Sequence, residues 1–342
     1  MKSNETRISE FILLGFTDIR KLQLLFFVIL LFSYFFTITG NALIIILANR
    51  DYRLHSPMYF FLWNFSVLEI GFTTVVTPQT LSHLLMAHKI VPYVGCMIQF
   101  FMYLHLGTTE FFLLAVMSYD RYLAICNPLR YPSIMQKSLC TLLVLCCWIG
   151  SFLLIIGPFV IFLQLPMCNS NILDHFFCDN TPLMQLLCGD TRLLELFEFV
   201  TAVLSLLGTL TISVVSYVNI IKTILNIPSA TGRKKAFSTC ASHFIVVSIT
   251  YGSCIFLYIN PSQTSKVEFG KIVAILNTIV SPLLNPFIYS LRNRQVQEAL
   301  KDLLKSFRSE ATAMATQEGR IIGKKQGTDE FSTVSTMERH IM

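Results

Sequence analysis

Charge is what this chain of 342 residues has least of: Asp, Glu, Lys and Arg together make up 13% of it, against 54% hydrophobic residues. A soluble globular domain carries roughly twice that share of charge, so a water-exposed surface of the usual kind is excluded. The interval Leu22 to Leu47 has no charged residue, and neither has anything between Lys137 and Asp174. No internal repeat, second domain or cleavable signal peptide is evident. The first 20 residues are mixed and polar, and the apolar run after them is too long for a signal h-region, so the first apolar segment is expected to act as an uncleaved anchor.

What is present is a series of seven apolar stretches: Leu22 to Leu47, Met58 to Leu85, Ile98 to Ser118, Leu139 to Leu163, Leu193 to Ile221, Ala236 to Ile259 and Ile272 to Leu291. A helix crosses the hydrocarbon core with about 20 such residues. The expected fold class is therefore an all-α membrane protein, a seven-transmembrane helix bundle surrounded by lipid. Seven crossings put the two termini on opposite sides. With the N-terminus outside, the inner connections and the segment after the last helix, up to Arg308, hold fourteen Lys and Arg against eight on the outer side, which favours an external N-terminus. Arg20 and Lys21, abutting the first helix, argue the other way. The net charge of +6 then reads as a topology signal, with no nucleic-acid partner. The acceptor triplet beginning at Asn4 is a glycosylation site on the same external side.

The cysteines divide by compartment. Cys96, Cys168, Cys178 and Cys188 fall in the outer connections, where disulfides form. Four cysteines allow three pairings, which spacing alone does not distinguish. Three of them lie in the connection from about Leu165 to Arg192, long enough to imply function or covalent restraint.

At the inner end of the third stretch stands MSYDRYLAIC, residues 117 to 126. In order along the chain with it stand Gly40-Asn41 and LHSPMYFFL at 54 to 62 before it, and PLRY at 128 to 131, KAFSTCASH at 235 to 243 and PLLNPFIYSLRN at 282 to 293 after it. Each is short. Together, in this order and on these helices, they make the chain resemble an olfactory receptor of the rhodopsin-like G-protein-coupled class over residues 1 to about 308. The resemblance implies a receptor without enzymatic activity or cofactor, placed in the plasma membrane, that binds a small volatile organic ligand within the bundle and activates a stimulatory heterotrimeric G protein of the cAMP pathway. It also divides the chain into an external segment 1–21, the bundle 22–291, a short amphipathic helix at 292–308 and a tail at 309–342 whose Ser, Thr, Gly and charge content reads as disordered.

Several residues acquire roles. Arg121, beside Asp120 and Tyr122, is a charge that an ion pair can hold until a partner competes for it. The plainer reading is a charge that marks a helix end. Pro286 removes a hydrogen bond from the seventh helix, and Asn285 is expected to help satisfy the carbonyl left open. By resemblance, Tyr217 and Tyr289 rearrange around Arg121. Glu69 and Glu110 lie mid-span with no Lys or Arg at that depth, so their partners must be polar side chains such as Asn41, Ser281 and Asn285. The resemblance places this group where related receptors bind sodium; protons are the alternative, and separately protonated acids bonded to the backbone are the plainer one.

For the ligand, the resemblance selects Tyr103, Leu104, Gly107, Thr108 and Phe111 of the third helix, Glu198, Thr201, Ala202 and Ser205 of the fifth, Tyr251, Cys254, Ile255 and Tyr258 of the sixth, and Ile275 and Thr278 of the seventh. Any one of them could equally be packing. Together they describe a small, mainly apolar cavity with a few hydroxyls. Tyr103 stands where amine receptors carry a carboxylate, which argues against an amine ligand held at that position. The resemblance pairs Cys96 with Cys178, leaving Cys168 for Cys188. It thereby disfavours a metal at His175, Cys178 and Asp179, since a disulfide sulfur is no thiolate ligand. Other classes remain in view: a non-olfactory chemosensory receptor, a small-solute transporter, which would show paired broken helices or an inverted repeat, and a retinal protein, which needs a lysine that Ile272 to Leu291 lacks.

Overall fold

The computed structural model describes residues 8–86, 89–167, 170–259, 270–292, 295–306 and 308–309. Asn4, Cys168, the side chain of Tyr258 and the segment 310–342 lie outside the described residues. Seven long helices dominate: α1 (Arg20–Arg50), α2 (Pro57–Leu85), α3 (Tyr93–Cys126), α4 (Lys137–Gln164), α5 (Arg192–Leu225), α6 (Ala230–Ile259) and α7 (residues 270–292). All but α6 are long and apolar enough to span a bilayer as single segments. α6 passes as two segments, Ala230–Ser238 and Cys240–Ile255, that meet at 46°, and counting them as one span gives seven. The expected bundle is there. Residues 295–306 form a further helix, as the resemblance implies.

Burial sorts the helices by position. Only 17% of the apolar window of α1 is buried in protein, against 61% for α2. Phe32 and Phe35 of α1 are both 58% exposed, as side chains facing hydrocarbon should be. α3 is the axis of the bundle, packed against α2, α4, α5 and α6, and α7 closes the ring against α1 and α6. The α1 to α7 approach depends on a missing side chain. A Cβ at Gly40 would stand 2.8 Å from Cβ of Pro286, so the two helices meet at this distance because position 40 carries no side chain.

Two helices change pitch beside the ligand region. Val203–Gly208 in α5 and Leu276–Val280 in α7 are π-helical turns, wider than the α-helix around them. Prolines 78, 158 and 286 lie within α2, α4 and α7 without ending them, because neighbouring helices and hydroxyls shelter the freed backbone.

The outer end adds a feature that helical periodicity does not announce, a three-stranded sheet. β1 (Glu10–Leu13) runs antiparallel to β2 (Ile90–Pro92) and parallel to β3 (Ile172–Leu173). Its alternation is that of a half-buried strand: Phe11 and Leu13 are 0% and 2% exposed, while Glu10 and Ile12 face outward. They pack with Val91, Leu173, Phe100 and Phe162 into one apolar cluster around Cys96 and Cys178. The long outer connection is therefore structured, holding β3 and the short helix Asn180–Met184. Arg20 has a structural task that removes it from the orientation argument. Its guanidinium donates to the Leu84 carbonyl at 3.0 Å and the Leu85 carbonyl at 3.3 Å, capping the C-terminal end of α2.

Candidate functional site

In the half of the bundle nearer the sheet, α3, α4, α5, α6 and α7, with Phe72 of α2, line a half-open cavity of about 500 Å³. Tyr103, Leu104, Gly107, Thr108 and Phe111 line it from α3, as their spacing on one helix face requires. Glu198, Thr201, Ala202 and Ser205 line it from α5 and Cys254 from α6. Four further candidates, Tyr251, Ile255, Ile275 and Thr278, are not among the lining residues. Tyr251 is 2% exposed and reaches from α6 to the Phe111 carbonyl at 3.5 Å. Ile255 is 37% exposed. Ile275 packs with Val76 and Phe176, and Thr278 is buried with its hydroxyl donating to the Ala274 carbonyl at 2.6 Å. Val273 and Asn277, four residues apart on one face of α7, take their places in the wall.

The cavity also reaches further than the sequence suggests. Ile155, Pro158, Phe159 and Phe162 bring α4 into the wall, Phe100 extends the α3 face one turn up, and Glu110 joins it between Thr108 and Phe111. Glu110 and Phe100 were legible in principle, since they lie three or four residues from positions already on that face. Nothing in the uniformly apolar α4 marks which of its sides is inward.

Gln99 anchors the outer rim. Its amide nitrogen donates to the Val75 carbonyl of α2 at 2.8 Å, and its oxygen accepts from the Cys178 backbone N–H at 2.9 Å. Cys178 is joined to Cys96. Cys188 is disulfide-bonded as well. His175 is 1% exposed beside Phe176 and Phe177, and burial lowers its pKa, which favours the neutral ring. Lys271 of α7 pairs with Asp174 of this connection at 2.7 Å.

Glu69 and Glu110 have separate partners. Glu69, 0% exposed, accepts from Asn285 Nδ2 at 2.5 Å, one of the polar partners expected for the mid-span acids. Glu110, 6% exposed, accepts from Thr250 Oγ1 at 3.5 Å. The Asn41 amide donates to the Thr37 carbonyl at 3.0 Å. Glu69 Oε2, Asn285 Oδ1 and Ser281 Oγ are buried without a hydrogen-bond partner among the described residues.

At the inner end of α3 Arg121 is ion-paired with Asp120, which also accepts from Tyr131 Oη at 2.8 Å. Burial beside Asp120 raises the Tyr131 pKa, which keeps the phenol a donor. Arg121 is 6% exposed, covered in this state. Tyr217 is bonded to His243 Nδ1 at 2.7 Å, a contact between α5 and α6 that the sequence does not foretell. Tyr122 packs on the same cluster as Tyr217 and Ile220. Tyr289 is buried against Phe65, its ring 6.2 Å away.

Comparison with known proteins agrees with this arrangement. The family model described as olfactory receptor matches residues 30–306. The chain is 54% identical to olfactory receptor 6E1 of Mus musculus over 306 residues, which is 89% of this chain and 98% of that protein. It is also 54% identical to olfactory receptor 6C3 of Homo sapiens over 301 residues, 88% of this chain and 97% of the relative. Among solved structures it is similar to squid rhodopsin with a TM-score of 0.69, at 17% identity, covering 85% of this chain and 88% of that one, a likeness of fold. The chain belongs to the olfactory receptor family, multi-pass membrane receptors of the G-protein-coupled class that signal without catalysing a reaction.

Proposed function

We propose that this receptor takes a small volatile organic molecule into the cavity between α3, α4, α5, α6 and α7, and that occupancy favours a conformation whose inner face admits a stimulatory heterotrimeric G protein. The observation that carries the reading is the position of α3, which contributes Tyr103 to Phe111 to the cavity wall and Arg121 to the inner end of the same helix. A ligand that fits one packing of the wall better than another shifts the balance between states, by no more than its difference in affinity for them. At the inner end that shift breaks the Arg121 to Asp120 pair and the Tyr217 to His243 contact, freeing Arg121 for the G protein and letting Tyr122 and Tyr289 repack.

The protein lies in the plasma membrane with its N-terminus outside, glycosylated at Asn4, and Cys168 pairs with Cys188. The segment 1–21 serves the outer rim, 22–291 the bundle, 292–308 an amphipathic helix at the inner surface and 309–342 a tail. Glu69, with Asn41, Ser281, Asn285 and the nearby Glu110, forms an ion or proton site. The unpartnered oxygens Glu69 Oε2 and Asn285 Oδ1 suit a small cation such as sodium. The test is a panel of volatile compounds on cells that display the receptor with the stimulatory G protein. Dose-dependent cAMP supports the reading, and silence of a surface-displayed receptor toward the whole panel refutes it.

A further inference from the structure

On the orientation proposed above, the connection between α5 and α6 faces the inner leaflet, and its charge is all of one sign. Lys222, Arg233, Lys234 and Lys235 fall within fourteen residues, and no Asp or Glu occurs between Glu198 and Glu268. We propose that the inner ends of α5 and α6 form a binding site for a polyanionic phospholipid of that leaflet, one whose headgroup carries phosphomonoesters, as a phosphorylated inositol lipid does.

Placement separates these cations from a plain topology signal. The buried face of the last turns of α5 consists of Ser213, Ser216, Tyr217, Ile220 and Ile224. Lys222 is two residues from both Ile220 and Ile224, about 160° around the helix from each, so it points away from the bundle. Its neighbours on that side are apolar and uncovered. Val218, Ile221 and Leu225 are all exposed, Leu225 by 69%, a stripe that faces acyl chains. On α6 the same combination recurs: Arg233 and Lys234 stand four and three residues before Phe237, on its side of the helix, and Phe237 is 57% exposed.

The chain brings the two sets together. Only Asn226 to Ser229 separate the helices, and the connection is held back on itself by Arg233, whose Nη1 donates to the Ile227 carbonyl at 3.1 Å. Gly232 lets it close, since a Cβ there would stand 3.0 Å from Ile227 Cγ2. Lys222 and Arg233 therefore lie within a turn of the connection on either side. Neither Lys222 nor Lys234 has a carboxylate partner among the described residues, whereas Arg53, in the connection from α1 to α2, is paired with Asp51 at 2.6 Å.

The missing counter-charge defines the headgroup. Each phosphomonoester carries a charge of about −1.5 to −2, so two of them match this cluster, where the single net charge of phosphatidylserine does not. An acidic protein surface is the other possible occupant. The lipid is favoured because the cations continue, on the same helix faces, into side chains turned to hydrocarbon, which a water-soluble partner does not reach. A headgroup held by Lys222 on one side and by Arg233 and Lys234 on the other ties the start of α6 to the end of α5.

The test is lipid retention by the purified full chain without odorant or G protein, so its outcome is independent of the signalling reading. Phosphatidylcholine nanodiscs carry either phosphatidylinositol bisphosphate or phosphatidylserine at equal total charge, and native mass spectrometry after detergent extraction counts the lipid that stays bound. Both leaflets contain the lipid, so the result does not depend on orientation either. The bisphosphate should be retained at least about tenfold more than phosphatidylserine, and Lys222→Gln, Arg233→Gln and Lys234→Gln together should reduce that retention about tenfold or more. Arg130→Gln with Lys137→Gln, cations of another inner connection, should leave it unchanged. Lys222→Gln alone should lower it about threefold to fivefold, which decides the matter if the triple variant does not reach the membrane. Equal retention of the two lipids, retention that survives the substitutions at 222, 233 and 234, or an equal loss in the Arg130 and Lys137 pair overturns the site. Unchanged retention with weakened binding of the G protein by the triple variant overturns it too, and assigns the cluster to an acidic protein surface.

Discussion

Around Cys178 a disulfide to Cys96, a side chain that bridges α2 to the connecting segment, and a three-stranded sheet tie the outer connection to the rest of the protein. Around Arg121, at the other end of the same helix, the ties are one ion pair, a phenol on Asp120 and a tyrosine on a histidine. Covalent and backbone ladder bonds are lost only when the region unfolds, and side-chain contacts exchange partners at a cost of about 0.5–3 kcal/mol each. The comparison teaches where the molecule keeps its shape and where it can change it. The rim that defines the cavity is fixed, and the face that meets the G protein is held by contacts that a partner can replace.

Four experiments bear on that contrast. The largest effect should come from Arg121→Ala, which removes the group proposed to meet the G protein: ligand-dependent cAMP should fall to background while surface display remains measurable. Normal signalling by this variant would reduce Arg121 to a helix-end charge and erase the contrast. Next, Cys178→Ser opens the outer tie, which should lower stability by about 2–5 kcal/mol and show as a loss of displayed receptor. Full display with an unchanged melting temperature would mean that the sheet and Gln99 suffice.

A smaller effect tests the outer region by pH. Burial holds the His175 pKa below its ordinary value of 6.5, against opposing contributions from Asp179 and Asp174 and with a further lowering from Lys271. The unfolded chain therefore takes up this proton more readily. The stability contribution is complete above pH 6.5 and declines as pH falls below it, by no more than about 1.4 kcal/mol per unit. Thermal melts of purified receptor should drop between neutral and mildly acidic pH, and His175→Leu should flatten the dependence. An equally steep decline in the variant would assign it to other groups. The smallest effect is at the inner face. Tyr131→Phe removes one hydrogen bond from Asp120, worth about 1 kcal/mol, so basal cAMP should rise about fivefold without ligand. No rise would show that the Arg121 to Asp120 pair holds the resting state alone.

What the sequence determined by itself was the solvent, the helices and the family, because each rests on information that is local along the chain. Apolar runs with no charge must sit in hydrocarbon, and motifs such as MSYDRYLAIC keep their order whatever surrounds them. On α3 the site was legible too, since one helix face is set by spacing, and the cavity takes Tyr103, Gly107 and Phe111 from it as spacing requires. The tertiary structure decided the rest. Which side of α4 faces inward has no signature when all sides are apolar. In α7 the wall takes Val273 and Asn277 rather than Ile275 and Thr278, a choice of face that depends on how the helix is rotated against its neighbours and that the sequence period alone does not fix. Strands of two to four residues at the rim carry too little alternation to be read, and they exist because chain segments about 80 and about 160 residues apart pair there. Of the polar partners expected for the buried acids, the structure selects Asn285 for Glu69 from 216 positions away and turns Glu110 to the cavity, because helix packing and not sequence distance sets which candidate a buried carboxylate meets.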